Sequence, residues 1–176
     1  MRLVPFGDEH RDSFDEMLAE YRRVEEQGLY TGFYAAAWDG YDKYRAMLER
    51  LSRGGWPHPY VVPGETLFII EGDRVVGEVY LRFALTPELQ EGGGNVGYQV
   101  RPSARGRGYA TEALRLALDR LRDVGLREAL ITCDHDNVAS IRVIEKCGGR
   151  RIADSHLANK RRYVAMLNEA ANCEGR

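Results

Sequence analysis

Arg105-Gly106-Arg107-Gly108 stands directly before a segment with helical apolar spacing, and that conjunction defines the chemistry within reach of this chain. A helix amino terminus offers unpaired N–H groups and the positive end of the macrodipole, and glycine lets an anion approach the backbone without interference from a Cβ. Arg101, Arg105 and Arg107 add guanidinium groups suited to bidentate contact with a polyanion, so the segment reads as a phosphate-binding loop. Two familiar nucleotide loops are excluded. No Gly-Lys-Ser/Thr occurs, and Gly106-Arg107-Gly108 is followed by Ala110 and Thr111 without the third glycine of a dinucleotide fingerprint. His10, His58, His135 and His156 lack ligand spacing, and Cys133, Cys147 and Cys173 form no C-x-x-C pair. Neither a metal site nor a disulfide framework is expected.

The loop needs a strand before it and a helix after it, and the pattern supplies both. Val96 to Val100 reads as a short strand, and Ala110, Leu114, Ala117, Leu118 and Leu121 form the apolar stripe of a helix ending near Gly125. Ala129 to Cys133 follows as a buried strand. A helix then runs to about Cys147, with Asp136 or Asn137 placed to cap it and Gly148 to stop it. Upstream, Glu65–Glu71 and Arg74–Phe83 flank Gly72-Asp73 as a β-hairpin. Strict alternation in its second strand puts Val75, Gly77, Val79, Leu81 and Phe83 on one face and Val76, Glu78, Tyr80 and Arg82 on the other. Two amphipathic helices precede the hairpin, one between Asp8 and Gln27 and one from Tyr41 to Leu51, joined by the aromatic stretch containing Tyr30, Phe33, Tyr34 and Trp38. Glu91–Asn95 reads as a loop, and Arg151–Leu157 and Arg161–Leu167 as two closing strands.

A length of 176 residues fits one domain, and 44% apolar residues with 10% aromatics is a globular composition. The net charge of -2 argues against a basic nucleic-acid binder and against an RNA-binding role for the arginine loop. It conceals an asymmetry: residues 1–100 carry 10 Lys and Arg against 17 Asp and Glu, and residues 101–176 carry 15 against 10. No run approaches a membrane span and no secretion signal opens the chain, so a cytoplasmic protein is expected, with neither a membrane nor a nucleic acid as partner.

Arg105-Gly106-Arg107-Gly108-Tyr109-Ala110 matches R/Q-x-x-G-x-G/A and so resembles the pyrophosphate-binding loop of the GNAT superfamily of acyl-CoA-dependent N-acyltransferases. A second block agrees: Asn137-x-x-Ser140, with Gly148 eleven positions after the asparagine, is similar to the family's later helix. The resemblance runs from about Gly64 to Met166. It implies a single α/β domain, α+β in the wider sense, with a mixed and mostly antiparallel central sheet flanked by helices on both faces. Residues 1–63 would form a helical acceptor side and residues 64–167 the acetyl-CoA core. Backbone amides of Arg105, Gly106, Arg107, Gly108, Tyr109 and Ala110, with Thr111 nearby, would hold the pyrophosphate. Val100 would pair with the pantetheine arm, and Asn137 and Ser140 would contact the cofactor.

The resemblance implies acetyl transfer from acetyl-CoA to a primary amine by direct attack in a ternary complex. A lysine-like amine is disfavoured as the neutral nucleophile at pH 7 by roughly 4 kcal/mol, which a general base lowers. Glu78 is the first candidate, followed by Asp134 and His135 at the end of the strand beside the thioester cleft that the resemblance implies where the strands around Val100 and Ile131 splay apart. Many members carry a tyrosine seven residues after the asparagine to protonate the departing thiolate, but this chain has Ile144 there; Tyr98 and Tyr163 are the candidates to replace it. A thiolate with a conjugate pKa of about 8.5 also leaves tolerably unaided. The missing tyrosine keeps open a second reading, a non-catalytic acyl-CoA sensor. The acceptor is a small-molecule or peptide amine, and the acidic first hundred residues favour a cationic one. Sheet edges in this architecture allow a homodimer.

Overall fold

The structure, a computed structural model, describes residues 1–26, 40–52, 62–156 and 159–167. The aromatic stretch from Tyr30 to Trp38, together with Trp56, His58, Tyr60 and Cys173, lies outside the described residues. In chain order the elements are β1 (Arg2–Pro5), α1 (Arg11–Glu26), α2 (Tyr41–Ser52), β2 (Gly64–Glu71), β3 (Arg74–Arg82), α3 (Pro87–Gly92), β4 (Val96–Val100), α4 (Tyr109–Asp123), β5 (Glu128–Asp134), α5 (Val138–Lys146), β6 (Arg150–Arg151) and β7 (Lys160–Met166). The strands form one seven-stranded sheet in the order β1-β2-β3-β4-β5-β7-β6. Every pairing is antiparallel except β4 with β5. The mixed, mostly antiparallel sheet read from the sequence is therefore the one found. Among the described residues no helix is long and apolar enough to cross a membrane.

Helices cover both faces because both faces are apolar. Phe14, Met17, Leu18 and Tyr21 of α1 and Tyr41 and Tyr44 of α2 pack on Phe68, Ile70 and Val75. Leu67, Ile69, Val79, Leu81 and Val96 point the other way, onto Leu114, Ala117, Leu118 and Leu121 of α4 and Ile144 of α5. Alternation along β2 thus feeds two separate cores from one strand.

Strict alternation fails at one point in β3. Ile69 pairs with Gly77 but Ile70 pairs with Val75, so Val76 has no partner across the hairpin and forms a β-bulge. The parity reverses there, which puts Val75 with the α1–α2 core and Val76 with the α4 core, the opposite of the expected faces. Glu78, on the carboxyl side of the bulge, keeps its place opposite Phe68 and faces α1 and α2.

Four further boundaries depart from the sequence reading. Arg2–Pro5 is an edge strand on β2, and a strand with only Leu3 and Val4 as apolar residues is too short to show a period. Residues 87–92, unassigned as far as Gln90 and read as loop from Glu91, form α3: Thr86 caps it through the Leu89 amide at 3.2 Å, Pro87 opens it and Leu89 is buried. One 3-10 turn, Asp8–His10, precedes α1. The strand expected over Arg151–Leu157 is only Arg150–Arg151. Beyond it, scattered bonds hold the segment to β7, from Ile152 N to Arg162 O (2.9 Å) and from Ser155 N to Lys160 O (3.0 Å).

Candidate active site

Parallel β4 and β5 pair at one place, Val96 at the start of β4 with Ile131 in the middle of β5. Asn95 fastens this point: its amide donates to Leu130 O at 2.6 Å and its side-chain carbonyl accepts from Leu130 N at 2.8 Å. Beyond that pair no ladder among the described residues links the two strands, although β5 stays paired with β7 on its other edge from Glu128 to Asp134. The two strands therefore part towards Val100 and Asp134, leaving a wedge with backbone on both walls.

The arginine-glycine loop lies at the open end of β4. Gly106 and Gly108 have φ of +76° and +87°, the left-handed region that glycine enters without a Cβ penalty. A Cβ at either would meet nothing within 4 Å, so the loop's outer side is open. Gly108 is the cap residue of α4 and offers no side-chain cap. Its carbonyl accepts from Thr111 and Glu112, and no protein group among the described residues accepts from the amides of Arg107, Gly108, Tyr109 or Ala110. Those four donors stand at the positive end of a 15-residue helix, an arrangement that can accept an anion. Arg107 is exposed, and Arg105 donates from Nε to Val100 O at 3.1 Å. Arg101, counted with them as a phosphate donor from sequence, does something else. It is 1% exposed and bound to Glu20 of α1, because its position in the turn after β4 aims it back under the sheet.

Across the wedge, Asn137 caps α5, its Oδ1 accepting from Ser140 N at 3.0 Å. Tyr98 projects from β4 towards this helix, and its buried hydroxyl lacks a hydrogen-bond partner among the described residues. Burial raises its pKa to about 12, with Ser140 pulling down and Cys133 and Cys147 pushing up. Tyr163 on β7 is likewise fully buried with an unpartnered hydroxyl, and Ile144 is fully buried in the α4 core. Asp134 accepts from Lys160 Nζ at 2.6 Å, and His135 Nε2 lies 3.8 Å from Asp154.

Glu78 sits on the opposite face of the sheet and is 0% exposed. Tyr44 OH of α2 donates to its Oε2 at 2.9 Å, and Tyr80 OH and Gln99 Nε2 both donate to its Oε1. Burial raises the Glu78 pKa to about 7, against these donors, which favour the carboxylate. Of the three, Tyr80 was legible as the residue two along on the same face. Gln99 follows only from the β3–β4 register, which pairs it with Glu78, and Tyr44, at helical spacing with Met47, Leu48 and Leu51, reads from the sequence as part of an apolar stripe. Tyr21 of α1 also lies close: burial and the charge of Glu78 hold its phenol high, and Arg105 draws it down.

The acetyltransferase (GNAT) domain family matches residues 1–150. A mycothiol acetyltransferase of Geodermatophilus obscurus is 31% identical over 124 residues, which are 69% of this chain and 30% of that protein. The chain thus spans about a third of that relative's length. RimL, a ribosomal L7/L12 alpha-N-protein acetyltransferase in complex with coenzyme A, superposes with a TM-score of 0.64 at 15% identity, covering 93% of this chain and 92% of the other. The microcin C7 self-immunity acetyltransferase MccE, in complex with acetyl-CoA and AMP, gives 0.61 at 15% identity, with 88% and 87% covered. These two likenesses show a shared fold. The chain belongs to the GNAT acetyltransferase family, whose chemistry is acetyl transfer from acetyl-CoA to small-molecule or protein amines.

Proposed function

We propose that this chain transfers the acetyl group of acetyl-CoA to a primary amine by direct attack within a ternary complex. The observation that carries the reading is the glycine-capped amino terminus of α4, with four uncommitted amides beside the wedge between β4 and β5. Amides of Gly106 to Ala110, with Thr111, hold the pyrophosphate, while the Arg105 amide is taken by Pro102 O at 3.3 Å and its guanidinium, with that of Arg107, neutralises the charge. Val100 borders the pantetheine arm, and Asn137 and Ser140 line the opposite wall. Acetyl-CoA supplies the activated acyl group, and a β4 amide in the wedge polarises its carbonyl as an oxyanion hole does.

Glu78 takes the proton of the attacking amine. A carboxyl with a pKa of about 7 is half ionised at neutral pH and holds the proton it receives. What supports Glu78 over Asp134 and His135 as the base is its raised pKa at the centre of the sheet, and the other two stand at the mouth of the wedge, Asp134 bound to Lys160 and His135 3.8 Å from Asp154. Tyr98, whose hydroxyl is free to donate on the side of Ser140, protonates the departing thiolate in place of the tyrosine that Ile144 replaces. Residues 1–63 provide the acceptor side and residues 64–167 the cofactor core. The acidic balance of the first hundred residues selects a cationic acceptor, in a cytoplasmic protein whose open sheet edge β1 permits a homodimer.

Thermal stability with and without acetyl-CoA, beside the double variant Arg105→Ala, Gly108→Asp, tests the cofactor site. A rise in Tm that disappears in the variant is expected. No rise at saturating acetyl-CoA would overturn the assignment. Free-thiol release with a panel of primary amines then separates transferase from sensor, since a sensor binds without turnover.

A further inference from the structure

The polar cluster beneath the cofactor loop plays no part in the chemistry above. Arg101 is 1% exposed, a guanidinium placed where charge is costly to bury without partners. Its Nη1 donates to Val75 O at 3.0 Å, at the β3 bulge. Its Nε donates to Glu20 Oε1 at 3.0 Å, and its Nη2 to the same oxygen. Glu20 also takes Ser103 N at 3.0 Å on Oε2 and Ser103 Oγ at 2.9 Å on Oε1, and Arg74 Nη2 closes the cluster at 3.0 Å from Ser103 Oγ and 3.3 Å from Glu20. Glu16 lies 3.7 Å from Arg101.

One carboxylate on α1 therefore binds the side chain of Arg101 and the backbone of Ser103, the residues that begin the turn leading into the loop. The chain from Ser103 to Gly106 has little freedom left. Ala104 N donates to Arg101 O at 2.9 Å, Arg105 N to Pro102 O at 3.3 Å, and Arg105 Nε to Val100 O. The next residue of α1, Tyr21, lies close enough to Arg105 to sense its charge. Two consecutive residues of one helix thus address the root of the loop and its first arginine.

We infer that Glu20 is a positioning residue for the acetyl-CoA loop: acting through Arg101 and Ser103, it holds residues 105–108 in the shape that binds the pyrophosphate before the cofactor arrives. Prior ordering removes an entropic penalty from binding, so loss of Glu20 acts on cofactor affinity. The inference rests on residues 105–110 being the pyrophosphate site. It also ties the helix beside Glu78 to the cofactor loop on the far side of the sheet.

Calorimetric titration with coenzyme A separates positioning from simple structural support. Glu20→Gln leaves Arg101 buried without its counter-charge and lowers Tm, with affinity falling about tenfold, or about 1.4 kcal/mol. The pair Glu20→Met with Arg101→Met removes both charges, a change that buried ion pairs often tolerate, so Tm recovers. Coenzyme A binding nevertheless stays about tenfold weak, because methionine gives the Ser103 amide no acceptor. Ser103→Ala, at an exposed position, keeps its Tm and loses about threefold in affinity with the two side-chain hydrogen bonds, to Glu20 and from Arg74. A methionine pair that binds coenzyme A as the parent does, or a Ser103→Ala variant with unchanged affinity, would overturn the inference while the loop assignment stands. A parent that fails to bind coenzyme A would overturn both.

Discussion

Glu78 is a carboxyl group placed where water does not reach, and its behaviour follows from that placement. Its pKa in the folded protein is about 7, raised from 4.5. The stability it contributes is present below the unfolded value and is lost as pH rises through 7, about 3 kcal/mol in all. Glu78→Gln, a neutral isostere able to keep the cage, should therefore change Tm little at pH 5 and raise it above pH 7.5, which thermal scans at the two pH values will read. The same titration gives an activity signature. kcat/KM should climb through pH 7 as the base ionises and then flatten, and Glu78→Gln should lose 10²-fold or more with the pH dependence removed. An unchanged profile in the variant would transfer the role of base elsewhere. The carboxylate was visible in the sequence as a polar residue on a central strand. Its burial was not, since that comes from Tyr44, two elements and 34 residues away.

At the scale of the element, backbone conformation decides two substitutions. Gly108 caps α4 at φ +87°, with open space where a Cβ would go. Gly108→Ala should cost about 1–2 kcal/mol by strain alone, and should weaken acetyl-CoA binding by crowding the loop's amides; urea melts and a cofactor titration separate the two effects. Gly77 is the contrasting case: φ is ordinary, but a Cβ would lie 2.2 Å from Gln99 O and 2.9 Å from Ile69 Cδ1. Gly77→Ala should destabilise by about 3 kcal/mol, because the obstructing atom is backbone of the neighbouring strand. The helices with apolar stripes, α1, α2 and α4, were legible from spacing, α5 from its cap and its Gly148 stop, and the β2–β3 hairpin from its two-residue turn. The edge strand β1 and the six-residue α3 were not, since each is shorter than the window in which a period can be recognised. The bulge at Val76 was equally hidden, because an extra residue in one strand is defined only by the register of its partner.

For the whole molecule, two carboxylates with opposite shifts bound the pH range of stability. Burial pushes Glu20 up, but the hydrogen bonds from Arg101 and from Ser103 more than reverse this, so its pKa falls to about 2 from 4.5. A depressed carboxylate stabilises the fold above its unfolded pKa and loses that contribution as pH falls from 4.5 towards 2. Glu78 acts in the other direction, between 4.5 and 7. Tm measured from pH 3 to pH 9 should peak near 4.5, where the Glu20 contribution is complete and the Glu78 loss begins, and Glu20→Gln should flatten the acid side alone. What the sequence by itself determined was local: the glycines that take positive φ, the caps and stops of the helices, the alternation of β2, and the motif that identified the loop. These are set by residues within a turn or two of one another. Only the tertiary structure decided that Arg101 serves Glu20 instead of a phosphate, that Glu78 lies beneath a tyrosine of α2, and that the parting of β4 and β5 implied by the resemblance begins beyond Val96. Each depends on residues far apart in the chain, brought together by packing and strand register, which no local pattern encodes.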